Sequence, residues 1–300
     1  MKVTILMSTY NGELYLKEQL ESLLCQKDVD IELLVRDDGS TDRTKEILNN
    51  YAMNGYLSWY EGKNIKPAQS FLDLVRNIGN SDYYAYCDQD DIWFDDKLIT
   101  AIKRLGQLSS NTPNLYVSTY DVVDESLKFI VKRDMKYEIP YTLASTIVER
   151  SPSGCTMVFN KKVKDLIAAK KPKNVRMHDY WTMMIVEAFK GNIVYDSNSR
   201  LLYRQHQNNS VGFGKGHITY IKRLLKSALL NRNERQKQAI EFYHLYNDVL
   251  PKESSTTLLK VINYRNGIVN RVRLAFDKEF LTPSFKINLL FKISVILGLF

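Results

Sequence analysis

Cysteine is scarce. The 300 residues hold three, Cys25, Cys87 and Cys155, far apart and with no CxxC among them. An odd, scattered set excludes a disulfide framework and a cysteine-type zinc site, and it fits a reducing compartment. The chain also lacks a GxxxxGK loop followed by Ser or Thr, and it has no GxGxxG after its first apolar run. Those absences argue against kinases, simple NTPases and dinucleotide dehydrogenases, and a bound phosphate would have to be neutralised by something other than a glycine cradle. The dense glycine stretch, Gly212-Phe213-Gly214-Lys215-Gly216, reads as a hinge or flexible loop. No internal repeat or low-complexity segment is visible. The start, Met1-Lys2-Val3-Thr4-Ile5-Leu6-Met7, lacks the long apolar core and cleavage site of a signal peptide, so a cytoplasmic protein is expected.

What is there is ordinary in bulk, at 44% hydrophobic and 25% charged, and enough to bury a sizeable core. The charge is not evenly spread. Residues 1–212 carry 27 Lys and Arg against 28 Asp and Glu, whereas residues 213–300 carry 15 against 6. Such asymmetry marks a segment that meets something anionic, or a solvated helical face.

The first hundred residues alternate short apolar runs with amphipathic stretches. Val3–Met7, Ile31–Val35, Leu57–Tyr60 and Tyr83–Cys87 suit buried strands. Between the first two, Leu16, Leu20, Leu23 and Leu24 form a helical stripe, with Asn11 as its expected N-cap. Ser40 or Thr41 is expected to cap the next helix, and Pro67 to open a third carrying Phe71, Leu72, Val75 and Ile78. This alternation predicts an α/β fold with a mostly parallel sheet. Ligands bind at the carboxyl ends of such strands, and there the polar clusters sit: Ser8-Thr9-Tyr10-Asn11-Gly12, Asp37-Asp38-Gly39-Ser40-Thr41-Asp42 and Asp88-Gln89-Asp90-Asp91. Converging carboxylates need a cation or a donor-rich ligand. Asp88 and Asp90 are two apart, so on an extended segment they face one side, suited to one hard divalent ion with positions left for phosphate. Asp42 reads as a first-turn helix carboxylate, and Asp91, Asp95 and Asp96 as residues that cap or flank the following helix.

These clusters, together with Tyr86-Cys87 before and Ile92-Trp93 after the third, resemble the ordered signature of glycosyltransferase family 2. Gly154-Cys155-Thr156, His178-Asp179-Tyr180-Trp181 and Tyr203-Arg204-Gln205-His206 are similar to its later landmarks, so the resemblance covers about residues 1–212. Within the family the chain is similar to bacterial rhamnosyltransferases of cell-wall and capsular polysaccharide synthesis. The resemblance implies a GT-A fold, Rossmann-like, with a mixed sheet flanked by helices. It implies a donor-binding half over 1–115, an acceptor-binding and catalytic half over 116–212, and a basic helical extension over 213–300. It implies an inverting transfer from a UDP- or dTDP-sugar, dependent on Mn²⁺ or Mg²⁺, to a glycan acceptor on polyprenyl diphosphate.

The roles it implies are specific. Thr9, Tyr10 and Asn11 line the nucleoside pocket, Asp38 accepts from the base imide, and Asp37 supports it or contacts ribose. Asp88-Gln89-Asp90 is the DxD motif, with Asp90 the direct metal ligand, Asp88 toward ribose or a metal-bound water, and His206 near metal or diphosphate. Asp179 is the base. A helix N-terminus would lower its pKa and weaken it, so His178 stays open as the chemical alternative, otherwise as a positioning group. Gly154, Cys155 and Trp181 fall on the sugar or acceptor side, and Arg204 or Lys215 could pair with phosphate. A sugar-phosphate nucleotidyltransferase and a non-catalytic nucleotide-sugar-binding scaffold are the rival readings. The basic stretches after 213, Ile218–Leu230 and Phe285–Phe300, can lie on a membrane interface, pack on the core or make a homodimer contact. No nucleic-acid partner is expected.

Overall fold

The computed structural model describes residues 1–133, 142–148, 152–206 and 233–300. Gly212–Gly216, Lys215 and Ile218–Leu230 lie outside the described residues. The chain runs β1 (Lys2–Thr9), α1 (Leu16–Leu24), β2 (Asp30–Asp37), α2 (Thr44–Met53), β3 (Ser58–Glu61), α3 (Lys66–Asn77), β4 (Tyr83–Cys87), β5 (Ile92–Trp93), α4 (Lys97–Leu105), β6 (Asn114–Val123) and β7 (Phe129–Lys132). After these come α5 (Leu143–Val148), a 3₁₀ turn at Gly154–Thr156, β8 (Val158–Asn160), α6 (Lys161–Ala168), α7 (His178–Ala188) and β9 (Asn192–Arg204). Among the described residues four further α-helices follow, α8 (Glu234–Tyr246), α9 (Lys252–Asn263), α10 (Ile268–Ala275) and α11 (Phe285–Ile296).

The strands form one sheet in the order β3-β2-β1-β4-β8-β6-β9-β5, with β7 on the edge of β6. The long pairings, β1 with β2 and β4, β2 with β3 and β6 with β9, are parallel; those of β8, β5 and β7 are short and antiparallel. Because β1 pairs with β2 and β4 on either side, Thr9, Asp37 and Asp88 emerge together at one end of the sheet. β6 spans the boundary expected near residue 115.

Both faces of the sheet are covered, as the continuous apolar runs require. Val3, Ile5 and Met7 pack toward α1, α2 and α4, and Leu6 packs toward α3, α6 and α7. The second face is completed by the C-terminal helices. Phe242 and Tyr246 of α8 meet Trp181 with ring centroids 5.1 and 6.5 Å apart. Leu258, Val261, Phe291 and Val295 belong to the same core. The described helices of the extension, α8 to α11, are thus built into the fold.

Local signals fared unevenly. Pro67 does open α3. Asn11 does not cap α1: it adopts φ +48° and its side chain accepts from Thr41 N at 2.8 Å, while Tyr15 N and Leu16 N bond to the Gly12 carbonyl. Neither Ser40 nor Thr41 caps α2. Asp42 serves that end, accepting from Thr44 N at 3.0 Å and Thr44 Oγ1 at 2.6 Å. Asp96 stands in the N-cap position of α4 without a capping bond, since Arg200 draws its carboxylate away at 2.5 Å, and Asp95 pairs with Lys27 at 2.6 Å.

Candidate active site

The β1 and β2 ends form the first wall. Asp37 is fully buried and receives four donors: Gly39 N, Ser40 N and Ser40 Oγ at 3.2, 2.8 and 2.5 Å, and Thr9 Oγ1 at 3.0 Å. It organises the turn instead of facing outward. Asp38 is 3% exposed. It is salt-bridged to Arg36 and accepts from Ile65 N at 3.1 Å and Lys66 N at 3.0 Å. Arg36, itself buried, also donates to Asp73 at 3.2 Å and to the Lys63 carbonyl at 3.0 Å. Asp38 therefore holds residues 62–66 over the β2 end. What this wall presents outward is the exposed Tyr10 and Asn11. Gln89 straps Tyr10 to the opposite wall through its backbone N and O, at 2.8 and 3.1 Å.

The second wall is the turn after β4. The Asp90 carboxylate meets His206 Nε2 at 2.8 Å, and the imidazole is braced by Tyr15, ring centroids 4.9 Å apart. Four residues between Tyr86 and Asp91 on one side, and the end of β9 on the other, bring together groups 116 positions apart in sequence. Arg204, which the sequence reading offered to phosphate, is 2% exposed and committed elsewhere. It donates to the Asp90 carbonyl at 3.0 Å and the Glu125 carbonyl at 2.7 Å, is salt-bridged to Glu18, and lies 4.6 Å from the Tyr15 ring centroid. It positions Asp90.

Asp91, assigned to the following helix from sequence, points inward. It is 1% exposed, with Oδ1 accepting from Arg204 N at 3.3 Å and Oδ2 without a hydrogen-bond partner among the described groups. Ligand atoms of Asp88, Asp91 and Cys155 lie within 4.8 Å of one another. Burial, then the charges of Asp90 and Asp179, push the Asp88 carboxyl up to about 7 against the pull of Lys97 and the Cys155 thiol. Burial and the neighbouring carboxylates raise Asp91 as well. Burial also raises the Cys155 thiol far above its ordinary range, so it stays protonated beside these carboxylates. Lys97 lies beneath, fully buried, its Nζ 2.5 Å from the Cys155 carbonyl and 3.1 Å from the Trp93 ring centroid. Burial drives its pKa down to about 7, against the carboxylates of Asp91 and Asp88 that favour its charged form. A crowded set of carboxylates with an orphaned oxygen fits a hard divalent cation, for which carboxylate oxygens are the preferred donors.

The third wall is the start of α7. Burial pushes the Asp179 carboxyl up to about 7, against hydrogen bonds from the Tyr180 and Gly154 amides and the charge of Arg176. The sequence reading had the helix N-terminus lower it; desolvation wins. His178 is 2% exposed and has no hydrogen-bond partner for either ring nitrogen among the described groups. It stacks on Phe71 with centroids 3.9 Å apart and meets Tyr86 edge-on at 4.6 Å. Burial pulls its pKa down to about 3, so it is a neutral packing group. Trp181 has no exposed surface and lies against Phe242 and Tyr246 in the core, away from the acceptor side where the sequence put it.

Gly154 serves this packing. A Cβ there would lie 2.3 Å from His178 Nε2, and the ring cannot retreat from Phe71 and Tyr86. Gly154→Ala is expected to destabilise the fold by about 1–3 kcal/mol, the cost of overpacking. The readout is the thermal midpoint. An unchanged midpoint would mean that the His178 cage is looser than described.

Residues 4–166 match the model of Glycosyl transferase family 2. The chain belongs to that family. It is 32% identical over 238 residues, 73% of its own length and 78% of the relative's, to the dTDP-rhamnosyl transferase RfbG of Shigella flexneri. Among solved structures, S. aureus TarS 1-349 in complex with UDP-GlcNAc superposes with a TM-score of 0.59 at 16% identity, covering 99% of this chain and 89% of that one. The mannosyltransferase PcManGT from Pyrobaculum calidifontis, in complex with GDP-Man and Mn²⁺, superposes with a TM-score of 0.56 at 15% identity, covering 99% and 80%. The fold is GT-A with a helical C-terminus, and the chain is a glycosyltransferase that uses a nucleotide sugar. No helix among the described residues is long and apolar enough to cross a membrane.

Proposed function

We propose that this chain transfers rhamnose from a dTDP-sugar, with inversion, to a glycan acceptor on polyprenyl diphosphate during synthesis of a bacterial surface polysaccharide. The observation that carries the chemistry is the placing of Asp179, with its raised pKa, beside the Asp88–Asp90–His206 wall. The family assignment and the similarity to RfbG carry the donor.

In this reading Tyr10 and Asn11 flank the nucleoside, with Thr9 and Asp37 fixing the turn behind them. Asp38 shapes the pocket through residues 62–66, because its oxygens already hold protein donors. Asp90, His206 and Asp88 would hold a divalent ion, which when bound neutralises charge on the departing diphosphate. Asp179 takes the proton of the acceptor hydroxyl as the new bond to the anomeric carbon forms and the bond to the diphosphate oxygen breaks. A carboxyl with a pKa near 7 is matched to that task at neutral pH. Gly154 and Cys155 close the floor beneath the reacting groups.

The test is release of nucleoside diphosphate from dTDP- and UDP-sugars with lipid-linked acceptors, with and without EDTA. The expected result is fastest release from dTDP-rhamnose, lost on chelation and restored by Mn²⁺ or Mg²⁺. Release of pyrophosphate from a nucleoside triphosphate and a sugar phosphate would instead make the chain a nucleotidyltransferase. Binding of donor without turnover on any acceptor would favour a scaffold.

A further inference from the structure

Helix α11 carries apolar residues on both its inner and its outer side. Its inner residues Phe291 and Val295 sit in the core with Phe280 and Phe300. Its outer row is Phe285, Leu289, Ile293 and Leu297, spaced four apart and 80%, 48%, 47% and 59% exposed. A second such row runs along α10, where Ile268, Val272 and Phe276 are 62%, 44% and 61% exposed. Residues four apart share a helix face. The two helices adjoin: Arg271 donates to the Ile296 carbonyl at 3.3 Å, and Lys292 Nζ lies 5.0 Å from the Phe276 ring centroid. A scattered apolar residue on a surface needs no explanation, but a continuous face does.

The surrounding charge says what covers it. Residues 262–300 contain six basic residues, Arg265, Arg271, Arg273, Lys278, Lys286 and Lys292, and two acids, Asp277 and Glu279. Both acids are bound to Lys260, at 2.8 and 2.7 Å. Arg273 stands four after Val269 and Lys286 four before Leu290, so cations share the helix sides that carry exposed apolar groups. A second copy docked about a two-fold axis would set this cation-rich surface against itself. An anionic bilayer accepts both parts at once, the side chains among the acyl chains and the cations among the headgroups.

We propose that the α10–α11 face docks peripherally on bilayers of anionic phospholipid. On the function proposed above, such docking delivers the cleft to a lipid-linked acceptor.

The test uses the whole chain, because α8 covers Trp181 and a protein cut before it would open the core. Wild type and a triple variant, Phe276→Glu, Leu289→Glu and Ile293→Glu, are sedimented with vesicles of phosphatidylglycerol and phosphatidylcholine, and with phosphatidylcholine alone. All three positions are exposed. Wild type is expected to bind the anionic vesicles, release partly in salt and ignore the neutral ones. The variant is expected to bind at least ~10-fold more weakly while binding dTDP-sugar in the absence of vesicles as tightly as wild type, which separates docking from the cleft. Wild type that ignores anionic vesicles, or a variant that binds them equally well, would overturn the proposal. A wild-type dimer that the three substitutions split, with no vesicle binding, would assign the face to a second copy instead.

Discussion

Asp179→Asn should cost ~10²-fold or more in kcat, the usual scale for loss of a general base, with donor affinity little changed. The amide keeps the size of the side chain, and its carbonyl oxygen can still accept from the Tyr180 amide that now bonds Asp179 at 2.6 Å. What it loses is proton affinity. The sign of the pH dependence follows from burial. The carboxyl is held up to about 7 and works only when ionised, so activity should rise with pH. A cation on the Asp88–Asp90 wall would favour the carboxylate and move the midpoint to or below that value. The wild-type pH profile of kcat/KM should therefore show an acidic limb ending near neutrality, and the variant should lack it. A variant that loses donor binding but keeps kcat would make Asp179 a binding or capping residue.

Asp90→Ala should abolish measurable transfer while leaving the fold intact. The carboxylate is partly exposed at the cleft surface and its backbone is held independently, the Asp90 carbonyl by Arg204. Removing the side chain therefore creates no core cavity. It does remove the partner of His206 and one of the proposed ligands at once. Isothermal titration with Mn²⁺ and circular dichroism on the same sample separate the two effects. A native spectrum with lost Mn²⁺ binding and lost transfer is the expected outcome. Near-wild-type turnover in EDTA-controlled buffer would remove the metal from the reaction.

The parallel half of the fold was legible because its signals are local. Val3–Met7 and Tyr83–Cys87 read as strands from their own composition, and Pro67 marks its helix without outside help. The short antiparallel strands β5, β7 and β8 carry two to four residues each and owe their pairing to tertiary contacts. The site divides the same way. Asp88, Asp90, Asp179 and His206 stand out because ordered motifs announce them. Asp91 was misassigned because an acid before a helix resembles a cap, and only the convergence of β9 and the 3₁₀ turn reveals its inward aim. Lys97 carries no local signal that separates it from any lysine opening a helix. Its burial under Cys155 depends on a 3₁₀ turn far along the chain. Trp181 and His178 sit close to the proposed base in sequence, but helical rotation turns them into the core and leaves Asp179, of the three, facing the cleft.

Cysteine chemistry divides sharply between the three thiols. Cys87 and Cys155 are buried, and burial raises both far above the range in which a thiolate forms at neutral pH. Thiolate, not thiol, reacts with maleimides and disulfides. Cys25, exposed just past α1, is thus the natural single-site handle for a fluorophore or spin label. It needs no background mutagenesis, and it lies on the helix whose other end carries Tyr15 against His206. A probe attached there would test, from outside the cleft, whether adding Mn²⁺ alters the Tyr15–His206 contact.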